Sequence, residues 1–127
     1  MSYFQEEPEH ISLLRDSMRR FGQQEMPADK IRAWEKEGRF ERSVFDKLAK
    51  TGVCGLTIDE EYGGAGVDIF AAAVVIEELS KFGLVASGPF IHCAFYGGLN
   101  ISESGSDAQK QEMLPKLARG EMLMSYG

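Results

Sequence analysis

The chain of 127 residues has little cysteine, no excess of basic residues and no long apolar run. Its two cysteines, Cys54 and Cys93, lie in apolar stretches without the C-x-x-C spacing of a metal site. Two buried, reduced thiols are therefore expected rather than a disulfide, and no metal-ligand set is expected. The formal net charge of −6 excludes the basic stripe that nucleic-acid binding requires, and a solvated acidic surface is expected instead.

Membrane and export signals are also missing from the sequence. The longest apolar run covers residues 69–76, which is far below the length of a membrane span. The N-terminus has neither the basic start nor the apolar core of a signal peptide. These absences predict a cytoplasmic protein without membrane contact, and the length predicts one compact domain with a single core.

Helical periodicity dominates the chain, whereas strand signals are almost absent until residues 122–126, which are compatible with the start of a strand. Apolar residues recur at spacings of three and four in the first helix, which is expected between Pro8 and Pro27. Further helices are predicted over residues 28–36, around 44–49, over 69–82 and 88–102, and from 107 onward. The pattern predicts an all-α fold, a bundle of about six antiparallel helices with short loops.

Local signals refine this prediction. Asp68 is expected to cap the fourth helix, and Ser106 with Gln109 forms a capping-box pattern before the sixth. The fourth helix is apolar nearly all round, which predicts the buried centre of the bundle. Gly97 and Gly98 each cost the fifth helix about 1 kcal/mol relative to alanine, which predicts close packing there. Pro89 is expected in the first turn of the fifth helix, and Pro115 is expected to kink or end the sixth.

No active site follows from the residues alone. Three glycines in residues 63–66 resemble a phosphate cradle, but a P-loop requires a final Gly-Lys-Ser/Thr, and a dinucleotide fingerprint requires a preceding strand. A structural turn is the better interpretation. The adjacent acids at 60–61 and at 77–78 are interpreted as solvated.

Residues 60–68, Glu-Glu-Tyr-Gly-Gly-Ala-Gly-Val-Asp, closely resemble the E-E-Y-G-G-x-G-x-D signature of the acyl-CoA dehydrogenase family. Three further elements match in the same order: G-x-x-G-L at 52–56, G-[ST]-x-x-Q-K at 105–110 and L-P-x-L-A-x-G-E at 114–121. Asp59 is a departure, since the family more often has proline there.

The resemblance implies that residues 1–121 form the N-terminal helical domain of an FAD-dependent enzyme that desaturates an acyl-CoA thioester between its α and β carbons. Residues 122–127 would begin a flavin-binding β-barrel domain that follows. The catalytic base is expected in a later C-terminal domain, so no catalytic residue is assigned here and the 127-residue chain alone is expected to be inactive. Its implied partners are the acyl-CoA substrate and an electron-transfer partner. The intact protein is expected to be a homo-oligomer and this chain a monomer or weak dimer.

By the same resemblance, Gly88, Pro89, His92 and Tyr96 are expected to face the acyl chain on one wall of the pocket, and Tyr126 and Gly127 to begin the flavin-contacting segment. An imidazole at position 92 would favour a short or polar acyl group, because an unpaired polar ring beside methylene groups costs desolvation energy. The other interpretation is that His92 hydrogen-bonds a neighbouring helix and does not meet the substrate.

Two other functions stay open at this point. A flavin oxidase or monooxygenase of the same fold would share this domain. A helical interaction module without catalysis would also agree with the absence of a catalytic set in these residues.

Overall fold

The computed structural model describes residues 6–127, and in that range it contains six helices and no strand. Five of the helices are α1 (Glu9–Glu25), α2 (Ala28–Glu37), α3 (Arg42–Lys50), α4 (Ile69–Ser80) and α6 (Asp107–Ala118). Helix α5 is continuous and has three segments, α-helical Leu84–Ile91, π-helical His92–Leu99 and α-helical Asn100–Ser104. The all-α fold predicted from the sequence is confirmed. The capping predictions also hold, because Asp68 accepts from the Ala71 N–H and Ser106 forms a complete capping box with Gln109.

Helix α5 forms the centre of the bundle. It contacts α4, α2, α6 and the short 3₁₀ turn Val53–Gly55, whereas α4 mainly contacts α1 and α5. The prediction that α4 is the buried centre is therefore wrong in part. Its inner face is buried, but Ile69 and Phe70 in its first turn are exposed, because no other helix of the described chain covers that end. The largest fully buried apolar side chains come from all the layers and include Ile11, Met18, Leu48, Phe90, Leu114 and Leu117.

Helix α5 begins at Leu84, four residues before the predicted start. A tight turn ends α4, where the Gly83 N–H donates to Ser80 O, and the Ala86 N–H then donates to Gly83 O and starts the next helix at once. Pro89 consequently lies inside α5, where its missing N–H leaves one bond of the helix ladder unmade. Pro115 is likewise tolerated inside α6, which continues to Ala118.

The middle of α5 is wound as a π-helix, and the Asn100 N–H accordingly contacts Phe95 O, five residues back. Three carbonyl groups of this segment receive donors from outside its backbone ladder. The Thr57 hydroxyl donates to Ala94 O (2.6 Å), the Met124 N–H donates to His92 O (3.2 Å), and the Asn100 side-chain amide donates to Tyr96 O (3.0 Å). The π-helical segment is thus joined by hydrogen bonds to the loop before α4, through Thr57, and to the segment after α6, through Met124.

Close packing at Gly97 and Gly98 agrees with the sequence prediction. A Cβ atom built at Gly97 would lie 2.4 Å from Leu117 Cδ2, and one at Gly98 would lie 2.5 Å from Thr57 Oγ1. Both distances are too short for a real contact. Only glycine at these two positions therefore lets α6 and the loop before α4 pack directly against α5.

The glycine-rich loop is a structural turn. Its backbone N–H groups are used internally, since Ala65 donates to Gly55 O (2.9 Å) and Gly66 donates to Ile58 O (3.1 Å). A Cβ atom at Gly64 would lie 1.9 Å from Ile58 O, so only glycine permits this approach of two backbones. Those two N–H groups are therefore not free to bind a phosphate.

The two cysteines are free and buried, as predicted. The Cys93 thiol donates to Leu117 O (3.1 Å) and so joins α5 to α6. A hydrogen bond with Cys93, together with burial, raises the pKa of the Cys54 thiol. Both side chains are completely buried, so they are packing groups in the core.

Glu78 of α4 corrects the prediction that residues 77–78 are both solvated. Its side chain is fully buried, and its carboxylate accepts from Arg15 (3.0 Å), Arg19 (3.0 Å) and Lys81 (3.1 Å). Burial by itself would raise the pKa of Glu78, but these hydrogen bonds from Arg19, Arg15 and Lys81 outweigh it and lower the pKa to about 2. The two arginines lie four residues apart on α1, so this ion cluster joins α1 to α4. Glu77, by contrast, is exposed.

The first prediction concerns Glu78→Gln. The folded pKa lies below the ordinary value of 4.5, so the carboxylate stabilises the fold above pH 4.5, and this stability is lost as the pH falls toward 2. The shift corresponds to about 3 kcal/mol. We expect the variant to lose about this much free energy of unfolding at pH 7 and to show a flatter pH dependence between 4.5 and 2. Urea unfolding at several pH values measures both effects. The exposed neighbour gives the matched control Glu77→Gln, and an equal effect of the two variants would contradict the prediction.

The second prediction compares two glycines of the same helix. In Gly98→Ala the new methyl group meets the hydrogen-bonded Thr57 hydroxyl, so we expect a loss of about 1–3 kcal/mol in the free energy of unfolding. In Gly88→Ala nothing lies within 4 Å of the new Cβ, and the better helix propensity of alanine should stabilise the fold by about 0.5–1 kcal/mol. Chemical unfolding of both variants measures whether the free energy of unfolding falls in Gly98→Ala and rises in Gly88→Ala. Two effects of the same sign would show that packing at the π-helical turn does not decide the result.

Candidate functional site

A cavity of about 660 Å³ lies between the end of α2, the first half of α5 and the segment that follows α6. It is open to solvent and mostly apolar, which is typical of a site for a small organic ligand. Its walls are formed by Trp34, Gly38, Phe40, Leu84, Val85, Gly88, Pro89, His92, Leu123, Met124 and Ser125, with Glu35 and Arg39 beside them.

Three of the four predicted substrate residues line this cavity. Gly88, Pro89 and His92 lie on the face of α5 that borders it. Gly88 leaves open space, because nothing lies within 4 Å of the position that a Cβ atom would occupy. Tyr96, the fourth, is not among the lining residues, since its ring stacks against Tyr126 with ring centroids 4.5 Å apart.

The charged groups of the cavity lie toward solvent. Glu35 and Arg39 are both exposed, and Arg39 forms an ion pair with Glu37 at 3.1 Å. Such a solvated pair contributes little energy, so it does not give the cavity a strong charge preference. The cavity therefore combines an apolar wall with a polar, solvated rim.

His92 is the polar group of the α5 wall. Its Nδ1 lies 2.8 Å from Met124 O, and its ring meets Tyr96 edge-on with centroids 5.0 Å apart. A carbonyl oxygen only accepts hydrogen bonds, so Nδ1 carries the proton. Nε2 then has the free lone pair when the ring is neutral, and no residue in the described range hydrogen-bonds to it. His92 thus lines the cavity and also forms a hydrogen bond, though with the segment after α6 rather than with a neighbouring helix.

Tyr126 and Gly127, the predicted flavin-contacting residues, lie beyond the cavity along α5. The Asn100 amide donates to the Tyr126 hydroxyl as well as to Tyr96 O, and the Tyr126 side chain remains 69% exposed. Residues 122–126 form no strand in the described chain, and two of them, Met124 and Tyr126, form hydrogen bonds with α5. An exposed face does not enclose a cofactor the size of FAD, which requires a concave site. The two residues would supply one edge of such a site.

Several residues of the site escaped the sequence analysis. Asn100 lies four residues after Tyr96 and eight after His92, a spacing that places polar residues along one face, but its partner Tyr126 is distant in the sequence. The contributions of Trp34 and Phe40 depend on α2 packing against α5, and no pattern in the sequence pairs those helices.

Within residues 6–127 no group of three histidine, cysteine or acidic side chains lies close enough together to hold a metal ion. None of the helices described is both long and apolar enough to cross a bilayer.

Comparison with known proteins gives a consistent result. Residues 8–121 match the family model described as "Acyl-CoA dehydrogenase, N-terminal domain". The chain is 37% identical over 116 residues to a (2S)-methylsuccinyl-CoA dehydrogenase of Cereibacter sphaeroides, a match that covers 91% of this chain and 21% of that protein. It is 34% identical over 119 residues to a short-chain specific acyl-CoA dehydrogenase of Clostridium acetobutylicum, covering 91% of this chain and 30% of the relative.

The fold is also found in a solved structure. Butyryl-CoA dehydrogenase from Megasphaera elsdenii superposes with a TM-score of 0.80 at 22% identity, over 97% of this chain and 32% of that one. The chain thus spans between about a fifth and a third of the length of these proteins. With its four sequence elements, its helical fold and the family model extending over most of its length, the chain belongs to the acyl-CoA dehydrogenase family, in which it corresponds to the N-terminal domain.

Proposed function

We propose that this chain serves as the N-terminal wall of the acyl pocket in an FAD-dependent enzyme that desaturates an acyl-CoA thioester between its α and β carbons. The cavity beside α5 would receive the acyl group. The observation that carries the proposal is the convergence of Gly88, Pro89 and His92, assigned from the sequence by resemblance, on one mostly apolar cavity of about 660 Å³.

The chain's own part in the reaction would be binding, orientation and exclusion of water. Apolar side chains such as Phe40, Leu84 and Val85 would pack along the methylene groups of the acyl chain and keep water from them. Tight placement of the acyl group fixes the position of the reacting carbons, which is the main contribution that a wall of this kind makes to the rate. His92 would present the one polar group on the α5 wall, which favours a short or polar acyl group over a long alkyl chain.

FAD, when bound, would supply the acceptor for the β-hydride. Tyr126 and Gly127 would meet one edge of it, and the base that removes the α-proton would belong to another part of the intact protein. We also propose that the intact enzyme is cytoplasmic, forms a homo-oligomer and passes its electrons to a separate electron-transfer partner. The division of the chain at residues 121 and 122 into two domains stays a prediction.

Turnover by the complete protein tests the proposal. We expect reduction of an artificial electron acceptor that depends on an acyl-CoA, with the corresponding enoyl-CoA as product. Reduction of dioxygen without the artificial acceptor would instead identify a flavin oxidase or monooxygenase of the same fold, and no flavin-dependent turnover would identify a helical interaction module.

The third prediction uses the open space at Gly88. In Gly88→Leu, the larger side chain extends from α5 without a clash at Cβ, and we expect it to shorten the cavity that the acyl group occupies. In the complete enzyme, kcat/KM for longer acyl-CoAs should fall about tenfold or more relative to short ones, since one methylene group in an apolar pocket changes binding by about 1–3 kcal/mol. Gly88→Ala is the control that keeps nearly the whole volume. An unchanged chain-length profile in Gly88→Leu would place the acyl group elsewhere.

The fourth prediction is that the 127-residue chain alone neither binds FAD at micromolar concentrations nor reduces a dye with an acyl-CoA. Its only candidate cofactor residues, Tyr126 and Gly127, lie on an exposed surface that buries little of a ligand. Titration of FAD with detection by flavin fluorescence, followed by a dye assay, measures both. Stoichiometric binding, or reduction dependent on acyl-CoA, would show that the flavin site lies within this domain.

A further inference from the structure

The cavity has one wall that is not part of a helix. Leu123, Met124 and Ser125 line it, and they belong to the segment after α6, which has no regular secondary structure. Because this segment has no regular backbone hydrogen bonds of its own, its position depends on its contacts with other parts of the chain.

A row of three side chains on α5 holds this segment. His92 contacts Met124, the Tyr96 ring stacks on the Tyr126 ring, and the Asn100 amide reaches the Tyr126 hydroxyl. The three positions are spaced four residues apart, and their contacts lie in the same order along the segment, which therefore runs in the direction of α5.

Met124 is the point at which the segment is held most closely. Its N–H donates to His92 O at 3.2 Å, and its carbonyl oxygen accepts from His92 Nδ1 at 2.8 Å. One residue of α5 thus satisfies both backbone groups of one residue in the wall. The His92 carbonyl can accept from Met124 because the π-helical segment leaves room for donors from outside its own hydrogen-bond ladder.

We propose that His92 is a positioning residue whose Nδ1–H fixes the segment 123–125 as a wall of the cavity and directs Tyr126 onto Tyr96. That this wall contacts an acyl group rests on the proposed function, whereas the positioning itself does not. The role requires a donor at the place of Nδ1, which is why an aliphatic side chain of similar size would not fill it.

Side-chain geometry provides a sharp test. The amide nitrogen of asparagine is as many bonds from the backbone as His Nδ1, whereas that of glutamine is as far as Nε2. His92→Asn should therefore keep the bond to Met124 O, and His92→Gln and His92→Leu should lose it. The other histidine, His10, is exposed and approaches Asp68 through Nε2, so His10→Leu is the matched control.

Two measurements on the 127-residue chain are needed, and neither involves flavin or acyl-CoA. The Met124 amide donates to the backbone carbonyl of residue 92, which every variant keeps, so its hydrogen exchange reports how often the segment separates from α5. Loss of the separate bond from Nδ1 to Met124 O should accelerate this exchange about fivefold or more in His92→Gln and His92→Leu, but not in His92→Asn or His10→Leu. Nitrogen-15 NMR of the neutral imidazoles should show the proton of His92 on Nδ1 and that of His10 on Nε2.

Equal protection of the Met124 amide in all four variants, or a neutral His92 ring with its proton on Nε2, would overturn the proposal. Either result would leave the proposed function standing, because that function is tested by turnover. Conversely, an enzyme without acyl-CoA turnover would leave the positioning role of His92 intact.

Discussion

The structure depends on one constraint, the wide π-helical turn in the middle of α5 and the absence of side chains beside it. At Gly97 and Gly98, a Cβ atom would fall 2.4 Å from Leu117 and 2.5 Å from Thr57. Because both positions are glycine, α6 and the loop before α4 reach the backbone of the central helix. The same turn directs the His92 carbonyl to Met124, so the cavity wall is attached there as well.

The π-helical turn with its two glycines lowers the stability of α5 by itself, and contacts from neighbouring residues offset this loss. Each glycine lowers helix stability by about 1 kcal/mol relative to alanine. A buried carbonyl without a partner costs about 1–3 kcal/mol, and the Ala94 carbonyl obtains its extra donor from Thr57, itself a fully buried side chain. The Thr57 hydroxyl can therefore reach Ala94 O only because Gly98 has no Cβ atom. A substitution of either residue alone would disrupt this contact.

The sequence predicted those parts of the molecule that depend on local spacing. Apolar periodicity located the helices, the Asp68 and Ser106 caps marked two helix starts, and the two glycines at 97 and 98 indicated close packing. These signals act within a few residues, so they can be read without the fold. Resemblance added three of the residues that border the cavity.

What the sequence did not predict depends on contacts between distant residues. Glu78 lies beside an exposed acid and looks solvated, but Arg15 and Arg19 approach it from 59 or more residues away. The position of the cavity wall after α6 does not follow from its own sequence, because that position is set by contacts with His92 and Tyr96. Resemblance assigned Tyr96 to the acyl group, which stays a prediction; its ring contacts the Tyr126 ring, a partner that no local pattern indicated.

The two ends of the molecule are held by different kinds of interaction, and this difference bears on function. The fully buried carboxylate of Glu78 joins α4 to Arg15 and Arg19 of α1, and a buried charge left without its partners costs several kcal/mol, so that side resists local opening. The wall after α6 is held by neutral hydrogen bonds, each worth about 1 kcal/mol, and by an aromatic stack whose outer ring is mostly exposed. Met122, Leu123 and Met124 add only partly buried packing against the core, and local opening draws on the weakest contacts first, so we expect this wall to open before the α1–α4 side. A ligand in the cavity would contact α5 and the wall together, and its binding would favour the closed arrangement in proportion to the contacts that it makes with the wall.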